Sequence, residues 1–152
     1  GSTEPWAVSI IQALVRLHKP RRILELGTYQ GMTTRALAEV SNAYIVSVDH
    51  EKRWDGVLSG VEFVQEDTGT FLHSCEKDSF DFVFVDDDHA KAHVEIELDL
   101  LMSGIVPRGG LIVMHDVLGQ FDLAPLCIDR GGFIIHLPLL HAAGGLGVIE
   151  VE

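Results

Sequence analysis

The stretch Arg22-Ile23-Leu24-Glu25-Leu26-Gly27-Thr28-Tyr29-Gln30-Gly31 decides how the rest of the chain is read. A short apolar run carries one acid, meets a turn bounded by two glycines, and passes into Met32–Val40, whose apolar positions follow a helical period. Strand, tight turn and helix in that order are the unit from which an α/β sheet is wound. The same grammar recurs outward in both directions. Pro5–His18 reads as a preceding helix, with Pro5 in its first turn and Thr3 as a candidate cap. Further strands are expected at Tyr44–Asp49, Val61–Gln65, Phe80–Asp86, Leu111–His115, Gly132–Leu137 and Gly147–Val151, and further helices at Thr70–Cys75 and Ala90–Ile105. Most of these strands are continuously apolar, as parallel strands covered on both faces must be.

Gly109-Gly110 ends the last predicted helix and turns the chain into the fifth strand. Only Pro138–Gly145 separates the last two runs, too little chain for a helical crossover, so they are expected to pair as an antiparallel hairpin. The expected domain is a single unit over residues 3–152, with Gly1-Ser2 reading as a cloning remnant.

The chain has 152 residues, 47% hydrophobic and 22% charged, the balance of a folded domain. Eleven basic against 23 acidic residues give a formal charge of −12, which speaks against a nucleic-acid or anionic-membrane partner. No run approaches the roughly 20 apolar residues of a membrane span, and no signal-peptide pattern is visible. Cys75 and Cys127 lack metal-ligand spacing and read as buried, reduced thiols of a cytoplasmic protein. A mean hydropathy of +0.22 fits either a heavily covered sheet or a homo-oligomer.

Ligands of open α/β sheets bind beyond the carboxyl ends of the strands. Acids gather there: Glu25 in the first run, Asp49 ending the second, Asp67 after the third, Asp86-Asp87-Asp88 after the fourth, and His115-Asp116 at the end of the fifth. One such acid is as readily a helix cap, but five in register would make a crevice that attracts a cation or a ligand rich in hydroxyl and ammonium groups. A dinucleotide fingerprint starting at Gly27 would need glycines where Tyr29 and Met32 stand, so a nicotinamide cofactor is disfavoured.

Glu25-Leu26-Gly27-Thr28-Tyr29-Gln30-Gly31 instead resembles motif I of the class I S-adenosylmethionine-dependent methyltransferases. Asp49 is similar to their acid at the end of strand two, Phe63–Thr68 to their third motif, Phe80–Asp86 to their fourth, and Pro107-Arg108-Gly109-Gly110 to their entry into strand five. The resemblance runs from residue 5 through nearly the whole chain. It implies a doubly wound, seven-stranded Rossmann-like sheet in the order 3-2-1-4-5-7-6, with the last strand antiparallel. It further implies methyl transfer to a small molecule, with a hydroxyl the favoured acceptor.

Position by position, the resemblance sets Glu25 and Gly27 by the methionine part of the cofactor, with Gly31 opening the helix below it and Thr28 and Tyr29 also among the cofactor-binding residues. Asp49 would accept hydrogen bonds from the ribose diol, His50 would lie against the adenine, and Asp67 would reach its amino group with Thr68 adjacent. Asp86 would stand by the cofactor's ammonium group and the transferred methyl. Carboxylates satisfy such donors well. The layout also resembles metal-assisted O-methyltransferases, which implies a Mg²⁺ site from Asp86, Asp88 and Asp116, and a proton acceptor among His89, His115 and Asp88. Its closest likeness is to members whose fourth motif reads Asp-x-Asp-His.

His89, His93 and Glu97 repeat at helical spacing, which can bind zinc but is expected to be a solvated helix face. His141 is a weaker candidate for substrate contact from the hairpin loop. Two other readings stay open: a cofactor-binding domain without turnover, and a methyltransferase acting on protein.

Overall fold

The computed structural model describes residues 3–137 and 144–152. The strands are β1 (Arg22–Leu26), β2 (Tyr44–Asp49), β3 (Val61–Gln65), β4 (Phe82–Val85), β5 (Leu111–His115), β6 (Phe133–Ile135) and β7 (Leu146–Glu150). They form one sheet in the order β3-β2-β1-β4-β5-β7-β6. The first five run parallel, and β7 is antiparallel to both β5 and β6. Sheet order, the antiparallel final pair and the bounds of four strands agree with expectation; β4, β6 and β7 differ by one or two residues at each end.

The helices are α1 (Pro5–His18), α2 (Met32–Val40), α3 (Thr68–Ser74), α4 (Lys91–Leu100) and α5 (Ala124–Asp129). Because side chains alternate along a strand, the sheet divides its apolar residues between two layers. Ile23, Ile45, Phe82, Phe84 and Val113 pack against Ala7, Ile11 and Val15 of α1 and Leu37 of α2. Leu24, Leu26, Val83, Val85, Ile112 and Met114 pack on the opposite face with Leu72 of α3 and Val94 and Leu98 of α4. Each fully buried aliphatic chain of this kind contributes about 1.5–3 kcal/mol.

Several local expectations are corrected. Thr3 does not cap α1: Glu4 holds the cap position without a side-chain bond, and the Thr3 hydroxyl reaches Thr33 and Asp86. α3 starts two residues early because Asp67 caps it, accepting from the Thr70 N–H at 2.8 Å. The predicted Ala90–Ile105 helix ends at Leu100 and unwinds through a wide turn, Leu101–Ile105, in which the Val106 N–H reaches the Leu101 carbonyl and Gly104 takes φ +130°. A single turn at Gly119–Phe121 and the short α5 fill the β5–β6 connection, where no helix was expected. Between β2 and β3 there is no helix. Trp54 is buried there and stacks on Phe63 at 5.3 Å.

Candidate functional site

The parallel strands end in a cleft of about 620 Å³, a size suited to a small ligand or cofactor. Gly27, Tyr29, Asp49, His50, Asp67, Thr68, Asp86, Asp88, His89, His115 and Asp116 all reach it, so the expected crevice exists. Asp87, His93 and Glu4 join them.

The turn after β1 is shaped by backbone constraints. Gly27 takes φ +98° and donates its N–H to Val48 O at 2.8 Å, and Gly31 takes φ +78° as α2 begins. A Cβ on Gly27 would sit 2.3 Å from the Asp86 carbonyl oxygen. Glycine is therefore needed for β1 and β4 to end side by side.

Glu25 and Thr28 lie beneath this turn and outside the cleft lining. Glu25 is fully buried and accepts hydrogen bonds from Ser47 at 2.6 Å and from Thr34, while Thr28 meets Ser47 at 2.6 Å. Burial outweighs the two hydroxyl bonds and raises the Glu25 carboxyl to about 8, and one of its oxygens has no partner. Ser47 and Thr34 were not singled out from sequence. A lone serine inside the apolar Tyr44–Asp49 run was the available signal.

Asp49 pins the turn. Its Oδ2 accepts from the Tyr29 N–H at 2.8 Å and its Oδ1 from the Glu51 N–H at 3.1 Å. The exposed His50 ring lies 3.3 Å from Asp49. Bonds from the Thr70 N–H and hydroxyl hold the Asp67 carboxyl below its ordinary value, so it is both cap and cleft wall.

At the head of the cleft, two carboxylate oxygens and two imidazole nitrogens interlock. His115 Nδ1 lies 3.0 Å from Asp86 Oδ1 and 3.4 Å from Asp116 Oδ2; His89 Nε2 lies 3.4 and 3.5 Å from the same two oxygens. These contacts are close, yet neither nitrogen makes a hydrogen bond of good geometry. His115 Nε2 is bonded to Glu4 at 2.8 Å, and Asp86 Oδ2 accepts from Thr3 at 3.0 Å. Phe121 stacks on His89 at 4.6 Å. Burial works against charge on His115, but Asp116 and Asp86 overcome it and raise the ring to about 11. Burial likewise opposes ionisation of Asp86, and the two imidazoles hold it low. His115 also keeps Asp116 low, and Asp86 raises His89.

Asp88, expected as a metal ligand, stands apart from this group: its Oδ1 accepts from the Ala90 N–H at 3.0 Å. Glu4 and Thr3 were not foreseen in the site, because no local pattern signals a contact between residues 4 and 115. The expectation of a solvated His89, His93 and Glu97 face is also corrected. His89 precedes α4 and points to the cleft head, while His93 and the fully buried Glu97 gather with Asp87 and Thr68. His141 lies outside the described residues.

Both cysteines are free, Cys127 buried and Cys75 partly so. No helix among the described residues is long and apolar enough to cross a membrane.

No curated protein sequence matches the chain. Solved structures share its fold. A methyltransferase from Podospora anserina with S-adenosylhomocysteine bound is 20% identical, with a TM-score of 0.75 over 99% of this chain and 80% of that one. An O-methyltransferase of tomaymycin synthesis from Streptomyces achromogenes, in complex with S-adenosylmethionine, is 19% identical, with a TM-score of 0.71 over 99% and 81%. An O-methyltransferase from Bacillus cereus in complex with S-adenosylhomocysteine is 18% identical, with a TM-score of 0.68 over 99% and 83%. A family model described as a methyltransferase domain matches residues 24–117, which hold the end of β1, the glycine turn, the acids that close β2 to β5 and the His115-Asp116 pair. The chain belongs to this methyltransferase-domain family.

Proposed function

We propose that the chain transfers a methyl group from S-adenosylmethionine to a hydroxyl of a small molecule, and that it does so in the cytoplasm. The observation that carries this reading is the interlocked group of Asp86, Asp116, His89 and His115 at the head of the cleft. It stands where the strand ends meet and offers both proton acceptors and negative charge to a reacting centre. The solved structures named above are methyltransferases, two of them O-methyltransferases, each with S-adenosylmethionine or S-adenosylhomocysteine bound, and they support the choice of cofactor and acceptor. The two free cysteines suit a reducing compartment.

The donor chemistry of the cleft fits the cofactor. Asp49 is held by two backbone N–H groups, one on each oxygen, which leaves further lone pairs for a vicinal diol. Asp67 and the exposed His50, which line the cleft, would face the adenine, and Asp86, which also lines it, would face the ammonium group and the methyl. Bound there, S-adenosylmethionine supplies an electrophilic methyl on a sulfonium centre. The chain's part is to hold the acceptor oxygen in line and to take its proton. His89 becomes that acceptor when positive charge enters the cleft, because such charge offsets the pull of Asp86 and Asp116 that keeps the ring protonated.

A second reading adds Mg²⁺ at Asp86 and Asp116. It is favoured by the convergence of Asp86 Oδ1 and Asp116 Oδ2 on one point, 3.0 and 3.4 Å from His115 Nδ1, where two carboxylates need positive charge between them. A hard dication on carboxylate oxygens would relieve them as well and would acidify a bound hydroxyl.

Calorimetric titration with S-adenosylhomocysteine, with and without Mg²⁺, tests the cofactor. Micromolar or tighter binding is expected, roughly −8 kcal/mol or better. Absence of heat and of thermal shift at millimolar ligand would sink the reading. Methylation of a panel of small hydroxyl compounds then separates an enzyme from a domain that only binds cofactor, and a protein acceptor would appear as label in polypeptide.

A further inference from the structure

We propose that Asp87, His93 and Glu97 form a binding site for a zinc-class divalent cation in the side wall of the cleft, distinct from the Asp86–Asp116 group. The three ligands come from two elements. Asp87 follows β4, and His93 and Glu97 stand four residues apart on α4, the spacing that puts two side chains on one helical face. One donor atom from each lies within 4.8 Å of the others. His93 Nε2 is 3.0 Å from Asp87 Oδ2 and 3.0 Å from Glu97 Oε1. Bonds of about 2.1 Å to a tetrahedral ion place ligand atoms about 3.4 Å apart. A few tenths of an ångström of opening would admit the ion.

The group as it stands is short of hydrogens. Thr68 Oγ1 lies 2.8 Å from Asp87 Oδ2, 2.6 Å from Glu97 Oε1 and 3.2 Å from His93 Nε2, yet a hydroxyl has one hydrogen to give. The imidazole Nε2 brings one more at most. With both acids ionised, four carboxylate oxygens share two hydrogens, and Glu97 Oε2 and Asp87 Oδ1 are buried with no partner. Glu97 has no exposed surface, and a buried carboxylate left this way is costly unless something positive joins it. Burial indeed pushes the Glu97 carboxyl up, while Asp87 pulls His93 up. A dication with two carboxylates and a neutral imidazole is electrically neutral and gives the buried, under-bonded carboxylates the positive partner they lack. One imidazole with two carboxylates in a tight space suits zinc-class ions better than Mg²⁺, which needs octahedral oxygen coordination and keeps its waters. Asp87, His93 and Thr68 line the cleft, so a fourth coordination position would open toward its contents.

The test uses the full chain after exhaustive chelation. Co²⁺ titration followed by visible absorption, and Zn²⁺ competition against a chromophoric chelator, should report one tightly held equivalent. His93→Gln and Asp87→Asn should each weaken it more than tenfold, given that even outer-sphere changes cost about 10–100-fold. Asp116→Asn should leave both spectrum and affinity unchanged. Circular dichroism confirms that each variant is folded, and Asp87→Asn carries the test if His93→Gln does not fold. Parent-like Co²⁺ binding in both ligand variants overturns the proposal. So does loss of binding in Asp116→Asn alone, or no binding at micromolar metal. The outcome is independent of whether S-adenosylhomocysteine binds.

Discussion

Glu4 and His115 meet across 111 positions of sequence, carboxylate to imidazole Nε2 at 2.8 Å, and the contact fixes the ring from its outer side. With Asp86 and Asp116 on the inner side, the imidazolium is held between three acids. Nuclear magnetic resonance of His115 should find it protonated through neutral pH, with a transition near 11. Asp116→Asn should lower that transition by about a unit or more, since a close opposite charge is worth roughly that much. A parent ring that titrates near 6.5 would show that the carboxylates do not hold it.

Glu25 makes stability depend on pH. Its carboxyl is raised from 4.5 to about 8 by burial, so the folded state binds the proton more tightly than the unfolded one. The stabilisation is full below about 4.5 and is lost as pH rises through about 8. Denaturant melts of the parent should therefore weaken across that window. His115 and Glu97, also raised, act with the same sign. Glu25→Gln should flatten the fall measurably. An identical slope in the variant would place the buried charge elsewhere.

Gly27→Val should fail by unfolding. A side chain there meets the Asp86 carbonyl oxygen at 2.3 Å and the Asp87 Cα at 2.8 Å, with φ at +98°. Backbone cannot retreat as a flexible side chain can, and a β-branched residue is strongly disfavoured at positive φ. A loss of at least about 3 kcal/mol, or no soluble protein, is expected. A folded variant that merely loses cofactor would mean that the glycine serves the ligand.

The strands were legible because β1, β2, β4 and β5 are apolar runs closed by an acid or a glycine turn, and their order was what the family resemblance implied. Asp49, Asp67, Asp86 and Asp116 followed at once, since residues at parallel strand ends must share one edge. What stayed hidden depends on tertiary contact. Glu4 enters the site only because α1 packs over the sheet, and Asp88 leaves it to cap one N–H. Glu97 lies on a helix whose sequence reads as polar, yet it is buried. Helix α5 is six residues long, too short for periodicity to declare.

Asp49→Ala should weaken S-adenosylhomocysteine by roughly 2–4 kcal/mol, through lost charge-assisted bonds to the diol. Because Asp49 also receives the Tyr29 and Glu51 N–H groups, the variant should loosen the glycine turn as well. Asp49→Asn keeps one acceptor oxygen and should fall between parent and Ala. Equal affinity in all three, by calorimetry, would move the ribose elsewhere.

The role of Mg²⁺ turns on Asp116. This carboxylate faces His115 and His89 at 3.4 and 3.5 Å, and its φ of +52° aims it at the head of the cleft. Gly144 leaves the space it needs: a Cβ there would lie 1.8 Å from Asp116 Oδ1. If the two acids hold a dication, methyl transfer should fall with chelator and return with Mg²⁺ or Mn²⁺, because the metal stabilises the acceptor oxyanion. Asp116→Asn should then lose most turnover while S-adenosylhomocysteine affinity changes little, since the proposed cofactor contacts are made by Asp49 and Asp67. His89→Ala should lose about 10²–10⁴ in rate if that ring takes the proton. The two variants separate the readings. Full activity in chelator, with His89→Ala inactive, leaves imidazole alone as the acceptor and removes the metal. Chelator-sensitive activity that survives in His89→Ala removes that ring as the proton acceptor and favours a dication held by Asp86 and Asp116.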